Sequence, residues 1–503
     1  MKHDLPTDHG LPDFVMSDRR LMPRRKDGKV SITDVQHAGL EAGIARGANL
    51  LIVAPTSTGK TLLAAWAIAA GLKADKRAVY LVTHRALAKQ KFDDLKSLLL
   101  APALEGDAAN IVLATGDDVV AADGSLPPAP LDASLVVATY EKYLGMLAAS
   151  GIPSDLRHVV AICDEVQIVG DPTRGRNVEV LLTLLRQARC GQLIGLSATI
   201  AANDGEMVAT WLEARLVRVA NREKTLTYEL RTPDAVYSAS TAEPTVRETR
   251  RSATLDVVPI VRELVAKSAR KPIIVFCMTK KELYDLARGY AGTAKQQYSL
   301  FGGEVESIVE SDLAHMLKNR CAVHNADLTE EMRHLVEAKL VDGTIDVVFS
   351  TTTLAAGVNF PIATAIFASW ARWDQGQRRR IPISRAEFHN MAGRAGRLGE
   401  TDGEGRIVFV AQNQDIRVAR RYLELDVIEP LQSRLDPIHF DAVALQLIAF
   451  DVCKTEDDAQ RFIDATLSAT REIEINRAGV EHWKNQMRRA IAELREQGFV
   501  EGP

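Results

Sequence analysis

The chain has 503 residues, of which 46% are hydrophobic and 25% are charged. This length and composition predict about three globular domains with ample hydrophobic cores. No apolar run approaches the ~20 residues that a membrane-spanning helix needs, and residues 1–30 contain no signal-peptide core, which argues against membrane-protein and secreted classes. The net charge of −4 argues against a globally basic surface for nucleic acid, but it leaves room for a local basic channel.

The N-terminal residues 1–30 are polar and predict a flexible extension. The five cysteines occur singly, without a CxxC pair or a His/Cys cluster, so the sequence predicts neither a disulfide framework nor a zinc site. The expected compartment is the reducing cytoplasm.

The first domain is predicted over residues 31–232, because short apolar runs alternate with segments of helix length from residue 32 to about residue 219. This alternation predicts a parallel sheet covered by helices on both faces. The predicted strands are 50–54, 78–82, 111–114, 135–138, 159–163 and 193–196. The polar, charged stretch 221–252 predicts a crossing between domains.

A second α/β domain is predicted over residues 250–426, where the alternation resumes. Its predicted strands are 272–277, 321–324, 345–350, 365–368 and 406–410. A small, mostly helical domain is predicted over residues 427–503. One face of its last helix carries Trp483, Met487, Ile491 and Leu494. Gly498 followed by an apolar pair resembles the start of a winged-helix wing.

A phosphate-binding loop is predicted between the first strand and the following helix, in the sequence APTSTGKT over 54–61. The amides of such a loop and of the helix N-terminus converge on an anion, and the predicted loop residues are Thr56, Ser57, Thr58 and Gly59. Lys60 is positioned to reach the β- and γ-phosphates, and the Thr61 hydroxyl is a candidate Mg²⁺ ligand. Nucleotide binding is the resulting prediction, although alanine stands where the strict pattern has its first glycine.

Two carboxylates follow the apolar strand 159–163 in the sequence DEVQ. The carboxyl edge of an α/β sheet is where ligands bind, so Asp164 is predicted to hold Mg²⁺. Glu165 is predicted to polarise the water that attacks the γ-phosphate. Downstream, Ser197 and Thr199 are predicted to connect hydrolysis to movement through Gln167.

In the second half, Thr351 and Thr352 end a strand and are predicted to contact a phosphodiester. Arg394 and Arg397 are spaced by small residues in NMAGRAGR. A planar guanidinium stabilises charge on a transferred phosphoryl group, so both arginines are catalytic candidates.

Together these motifs resemble a superfamily-two nucleic-acid helicase, most closely the Ski-like branch, over roughly residues 32–410. The resemblance implies two tandem RecA-like P-loop domains followed by the winged-helix-like segment, with ATP and Mg²⁺ bound between the RecA-like domains. It also assigns Gln36 to adenine recognition and Gly357 to the nucleotide site. The residues that it implies for nucleic-acid contact in the first domain are Thr83, Arg85, Thr139 and Lys142.

Three departures from the family pattern stand out. Gln167 replaces the more frequent histidine and cannot carry a proton charge. Asn390 replaces a glutamine and is shorter by one methylene. The family's helical ratchet domain, which follows the winged helix, does not follow residue 503 here, which predicts either a truncated chain or one that lacks this element.

A hairpin is predicted between the last two motifs, around the stretch 374–377. In related enzymes such a hairpin splits the duplex, and here Trp373 is a candidate to stack on a base and Arg379 to hold phosphate. A solvated basic loop over packed tryptophans is an equal alternative.

The predicted function is an ATP-dependent helicase or translocase that moves along a single strand, 3′ to 5′ by family habit, as a monomer. The rivals are an ATP-driven remodeller that does not unwind, and an ATP-gated binding subunit of an RNA-decay, DNA-repair or phage-defence complex. A metabolic P-loop kinase is disfavoured because it needs no second GRAGR domain. The sequence does not choose between DNA and RNA.

Overall fold

The computed structural model describes residues 3–25, 27–56, 58–116, 118–220, 224–267, 271–292, 305–351, 362–374, 378–396, 404–425, 427–432, 434–475 and 479–501. Within these residues the chain divides into two compact units. The first comprises residues 1–221 and 430–503, and the second comprises residues 222–429. The predicted domain boundaries themselves stay predictions.

The described strands of the first unit form one eight-stranded sheet in the order β4-β3-β5-β2-β6-β7-β1-β8. Adjacent strands pair in parallel, except the β3–β4 pair. The strands are β1 (Leu50–Val53), β2 (Arg77–Val82), β3 (Ile111–Thr115), β4 (Asp118–Ala121), β5 (Leu135–Thr139), β6 (Val159–Cys163), β7 (Gln192–Ser197) and β8 (Arg215–Arg218).

Helices cover both faces of this sheet because successive strand residues point to opposite sides. Leu50 and Ile52 of β1 belong to one hydrophobic core, whereas Leu51 and Val53 belong to the other. The helices are α1 (Asp13–Ser17), α2 (Asp34–Glu41), α3 (Lys60–Lys73), α4 (Arg85–Leu104), α5 (Tyr140–Ser150), α6 (Gly175–Gln187) and α7 (Ala202–Trp211).

The N-terminal extension differs from the flexible tail that the sequence predicted. Val15, Leu21 and Met22 are buried in the first core. The indole of Trp66 on α3 donates to the Leu21 carbonyl oxygen at 2.8 Å. These apolar side chains therefore share one hydrophobic core with α3, and the described part of the extension is an integral part of the unit.

The second unit contains another eight-stranded sheet, in the order β11-β10-β9-β18-β15-β12-β14-β13. Its strands are β9 (Leu226–Arg231), β10 (Ala235–Ser240), β11 (Arg247–Arg250), β12 (Ile273–Phe276), β13 (Cys321–His324), β14 (Val347–Ser350), β15 (Thr364–Phe367) and β18 (Gly405–Val410). A separate antiparallel hairpin joins β16 (Ala371–Asp374) to β17 (Arg379–Pro382). The helices are α8 (Val257–Val265), α9 (Lys280–Ala291), α10 (Val305–Lys318), α11 (Glu330–Val341), α12 (Arg385–Ala392) and α13 (Ile416–Ala419).

The sequence predicted that residues 221–252 form a connection between domains. This prediction is wrong for the residues that form β9, β10 and β11. These strands extend the second sheet, and β9 pairs in parallel with β18. Leu226, Tyr228 and Leu230 alternate with polar residues and are buried, which is the pattern of a half-buried strand. The predicted limit at 232 falls in the turn between β9 and β10.

The described residues after 430 are helical and pack in the first unit. The helices are α14 (Phe440–Ala449), α15 (Glu456–Asp464), α16 (Leu467–Ile475) and α17 (Gly479–Glu496). The predicted face of Trp483, Met487, Ile491 and Leu494 on α17 is buried in the core that also contains α6. The fold class, two mostly parallel α/β domains with a helical C-terminal region, is confirmed.

Candidate functional site

The phosphate-loop residues lie at the carboxyl end of β1 and lead directly into α3. Gly59 has a φ of 96°, a left-handed conformation that glycine adopts without strain. A Cβ at this position would collide with the side-chain amide of Gln36. A side chain at this position would therefore require both a strained backbone and a shift of Gln36.

Gln36 belongs to a capping box at the start of α2. Its side-chain oxygen accepts from the Thr33 amide at 3.0 Å, and the Thr33 hydroxyl accepts from the Gln36 amide at 3.3 Å. The Thr33 hydroxyl also donates to the Thr58 carbonyl oxygen at 2.7 Å. The predicted adenine-reading residue is thus fixed to the phosphate loop.

Lys60 and Thr61 open α3. The Lys60 ammonium donates to the carbonyl oxygens of Ala54 and Pro55, at 2.5 and 2.9 Å, so its charge lies within the loop. The Thr61 hydroxyl accepts at 2.9 Å from the ammonium of Lys91, a residue of α4 whose side chain is buried. Since an ammonium only donates, Lys91 fixes the Thr61 oxygen as an acceptor.

The paired carboxylates follow β6, which lies between β2 and β7 in the sheet. One Asp164 carboxylate oxygen accepts from the Tyr80 hydroxyl at 2.9 Å, and the other accepts from the Glu165 amide at 3.0 Å. Burial, together with the neighbouring Asp164 charge, raises the pKa of Tyr80 well above its usual value, so Tyr80 is a donor here. Glu165 has a φ of 54°, in the left-handed region, which marks a sharp turn after the strand.

Gln167 bridges the carboxylate pair to the end of β7. Its amide nitrogen donates to a Glu165 carboxylate oxygen, and its amide oxygen accepts from the Ser197 hydroxyl at 2.6 Å. Gln167, Ser197 and Glu165 are therefore joined in one hydrogen-bonded chain. Thr199 lies two residues beyond Ser197 and is partly buried.

A cavity of about 640 Å³ lies at the same sheet edge, beyond the carboxyl ends of β2, β3 and β5. Thr83, Arg85, Thr139 and Lys142, the four predicted nucleic-acid contacts of the first domain, all line it. The other lining residues are His84, Gly116, Glu141, Gly145, Met146, Ala149 and Arg174.

Charged side chains form one wall of this cavity. The Arg174 guanidinium makes two hydrogen bonds to the Glu141 carboxylate, at 2.6 and 2.8 Å. The Arg85 guanidinium lies directly against Gly116, where a Cβ would displace it. Basic side chains that line a cavity suit a phosphodiester backbone.

In the second unit, Thr351 directly follows β14, and Arg394 lies in the turn that follows α12, with its amide bonded to the Met391 carbonyl oxygen at 3.1 Å. Ser57, Thr352, Gly357 and Arg397 lie outside the described residues. The predicted hairpin corresponds to β16 and β17. Trp370 is buried and its indole donates to the Val410 carbonyl oxygen, whereas Trp373 is 60% exposed and lies opposite Arg380 in the hairpin. Arg379 is also exposed and lies opposite Asp374.

Several residues that the sequence alone did not single out contact the site. Tyr80 and Tyr140 hydrogen-bond Asp164, Lys91 binds Thr61, and Arg174 pairs with Glu141. The only signal for Tyr80 was a tyrosine inside an apolar strand, which is also a common core residue. For Lys91 it was a lysine spaced among the apolar positions of a helix.

The phosphate loop, the paired carboxylates and the two mostly parallel α/β sheets are the features of P-loop proteins with two RecA-like domains. Residues 33–208 match the model of the DEAD/DEAH box helicase family, and residues 256–399 match that of the helicase conserved C-terminal domain. The chain belongs to the superfamily-two DEAD/DEAH box helicases, in the Ski-like branch that contains Hel308.

Three relatives, each called ATP-dependent DNA helicase Hel308, illustrate the similarity. The protein of Methanocella arvoryzae is 31% identical over 86% of this chain and 58% of its own length. The Aeropyrum pernix protein is 31% identical over 81% and 54%, and the Pyrobaculum calidifontis protein is 30% identical over 96% and 67%. The chain thus spans between about half and two thirds of these relatives. Within its described residues, no helix combines the length and apolarity that crossing a membrane requires.

Proposed function

We propose that the chain is an ATP-dependent helicase that couples ATP hydrolysis to movement along single-stranded DNA, with duplex unwinding. The observation that carries this proposal is the shared sheet edge. Residues that follow β1, β6 and β7 have the chemistry of an ATPase, whereas residues that follow β2, β3 and β5 line a basic cavity. DNA is proposed because the relatives are called DNA helicases.

For ATP, we propose that Thr56, Ser57, Thr58 and Gly59 present amides to the phosphates and that Lys60 exchanges its loop carbonyl partners for phosphate oxygens. Gln36 would read the adenine. Thr61 and Asp164 would hold Mg²⁺, and their hydroxyl and carboxylate oxygens suit this hard cation. When bound, Mg²⁺ would neutralise charge on the phosphates.

In hydrolysis, Glu165 of the DEVQ motif would take a proton from the attacking water. Gln167, Ser197 and Thr199 would relay the change in charge at Glu165 to the end of β7. Arg394 and Arg397 keep their predicted role in stabilising charge on the transferred phosphoryl group. Gly357 keeps its predicted place in the nucleotide site.

The DNA strand would be held by Thr83, Arg85, Thr139 and Lys142 in the cavity, and by Thr351 and Thr352 in the second unit. At the hairpin, the exposed Trp373 would stack on a base and Arg379 would hold a phosphate. Movement 3′ to 5′, a monomeric state and a cytoplasmic location complete the proposal.

The first test measures ATP turnover with single-stranded DNA or RNA over a series of salt concentrations. Stimulation by DNA that weakens steeply with salt is expected, because phosphate contacts release counterions.

Lys60→Ala should abolish turnover, whereas Lys73→Ala, which removes an exposed lysine from the other end of α3, should not. Turnover in Lys60→Ala at the wild-type rate would refute the ATP site.

A strand-release assay on a forked DNA duplex distinguishes a helicase that unwinds from the remodeller that does not. If the purified chain hydrolyses ATP with single-stranded DNA but releases no strand from the fork, the remodeller without unwinding is the better description. Negligible turnover alone that appears on adding a partner would favour the ATP-gated binding subunit.

A further inference from the structure

Tyr140 connects the basic cavity to the hydrolysis carboxylates. It is the first residue of α5 and directly follows Thr139, whose hydroxyl accepts from the Lys142 amide at 3.4 Å. Thr139 and Lys142 line the cavity. The Tyr140 side chain points the other way: it is only 1% exposed, and its hydroxyl donates to the Asp164 backbone oxygen at 2.9 Å.

The bonded carbonyl belongs to the peptide that joins Asp164 to Glu165. A peptide unit is planar, so the direction of this carbonyl fixes the plane from which the Glu165 backbone departs. The Glu165 backbone is in the left-handed conformation, and its amide donates a hydrogen bond to the Asp164 carboxylate. The Tyr140 hydroxyl therefore holds the turn that aims the Glu165 carboxylate.

A second contact joins the same two segments. Glu141, the next residue of α5, forms the ion pair with Arg174 in the cavity wall. The Arg174 amide is in turn bonded to the Asp171 carboxylate at 2.9 Å, which ties it to the loop that follows Gln167. The start of α5 thus contacts the segment 164–174 at both ends.

We propose that Tyr140 is a positioning residue that transmits strand binding in the cavity to Glu165. The inference rests on the proposed function. A strand held by Thr139 and Lys142 shifts the first turn of α5, and the Tyr140 hydroxyl carries that shift to the Asp164–Glu165 peptide. Coupling between the two sites is then a measurable free energy that depends on one hydroxyl.

The test is Tyr140→Phe, which keeps the buried ring and removes the hydroxyl. The maximal DNA-stimulated turnover should fall about three- to tenfold, the change produced by losing one hydrogen bond of ordinary strength. The affinity for single-stranded DNA measured without nucleotide should stay at the wild-type value, because Tyr140 does not line the cavity. Tyr143→Phe is the matched control: Tyr143 is also buried on α5, and no described bond links its hydroxyl to Asp164. It should leave both quantities unchanged.

A second measurement does not depend on hydrolysis. A non-hydrolysable ATP analogue should change the affinity of the wild type for single-stranded DNA, and Tyr140→Phe should reduce that change while its thermal unfolding stays close to the wild type. Wild-type coupling or maximal stimulation in a folded Tyr140→Phe variant would overturn the inference. A wild-type chain with no DNA stimulation would instead overturn the proposed function itself.

Discussion

Gly59 combines two constraints that can be separated by mutation. Its φ of 96° is unfavourable for any side chain, and a Cβ would also collide with Gln36. Gln36 cannot withdraw without breaking its bond to the Thr33 amide. Gly47, also in the left-handed region at 83°, faces open space, so a Cβ there meets no atom within 4 Å.

Gly59→Ala is therefore expected to weaken ATP binding at least about tenfold, because both the loop and Gln36 must shift. Gly47→Ala should cost about 1 kcal/mol of unfolding free energy through backbone strain alone and leave ATP affinity unchanged. Titration with a fluorescent ATP analogue and thermal denaturation measure the two effects. Equal ATP affinities in the two variants would contradict the proposed role of this loop in binding ATP.

Among single residues, the sequence predicts the position of those that belong to a short motif next to a strand. Asp164 follows β6 directly, and Gly59 and Lys60 lie where the short loop after β1 meets α3, so their place at a sheet edge is fixed by the chain. Tyr80 is different, because its partner Asp164 lies 84 residues further along the chain. Inside an apolar strand its ring has the pattern of a core residue, and only the fold reveals where the hydroxyl points.

Among the helices, α6 carries a buried carboxylate that contacts the C-terminal region. Glu179 accepts from the amide of Ser468 at 2.7 Å and from its hydroxyl at 2.8 Å, at the start of α16. The positive end of a helix favours a carboxylate there. Burial nevertheless outweighs these donors and raises the pKa of Glu179 to about 7.

This raised pKa predicts how stability depends on pH. A carboxyl whose folded pKa exceeds its ordinary 4.5 favours folding most below pH 4.5, and the contribution is lost as pH rises through about 7. At 1.36 kcal/mol per pKa unit, the loss is of the order of 3 kcal/mol. Glu179→Gln can still accept from the Ser468 amide, and it removes the titration.

Urea denaturation at several pH values between 5 and 8 checks this prediction. The wild type should lose stability across the range more steeply than Glu179→Gln, while Glu481→Gln, on the exposed side of α17, should behave as the wild type. Parallel pH profiles for the wild type and Glu179→Gln would show that Glu179 does not titrate in the folded protein.

Element prediction succeeded for the buried parallel strands and failed at the edge of the second sheet. The strands β1, β2, β6 and β7 are continuous apolar runs, because helices cover both of their faces. At that edge, β10 pairs in antiparallel fashion with both β9 and β11. All four residues of β11, Arg-Glu-Thr-Arg, are exposed. A half-buried strand with charged residues resembles a linker until its partner is known.

On the scale of the whole molecule, the first unit is assembled from both ends of the chain. The helices α14, α15 and α17 share one hydrophobic core with α6 and α7. Polar contacts surround this core: Arg471 pairs with the buried Asp204 at 3.0 Å, and Arg434 donates to the Gly170 carbonyl oxygen at 2.7 Å. Folding of the unit therefore requires residues that are more than two hundred positions apart.

This arrangement predicts that cutting the chain near residue 428 does not release its C-terminal part. Val427 and Ile428 are exposed, so a protease site placed over 427–429 should be cleaved in the native protein. The fragment that begins near 430 should then co-elute with the remainder in size exclusion at micromolar concentration, because the shared core stays closed. A matched chain with Leu447→Asp, which places a charge in that core, should release the fragment, since an unpaired buried charge costs several kcal/mol. Separate elution from the cleaved wild type would mean that the C-terminal helices form a domain of their own, held to the rest by the chain alone.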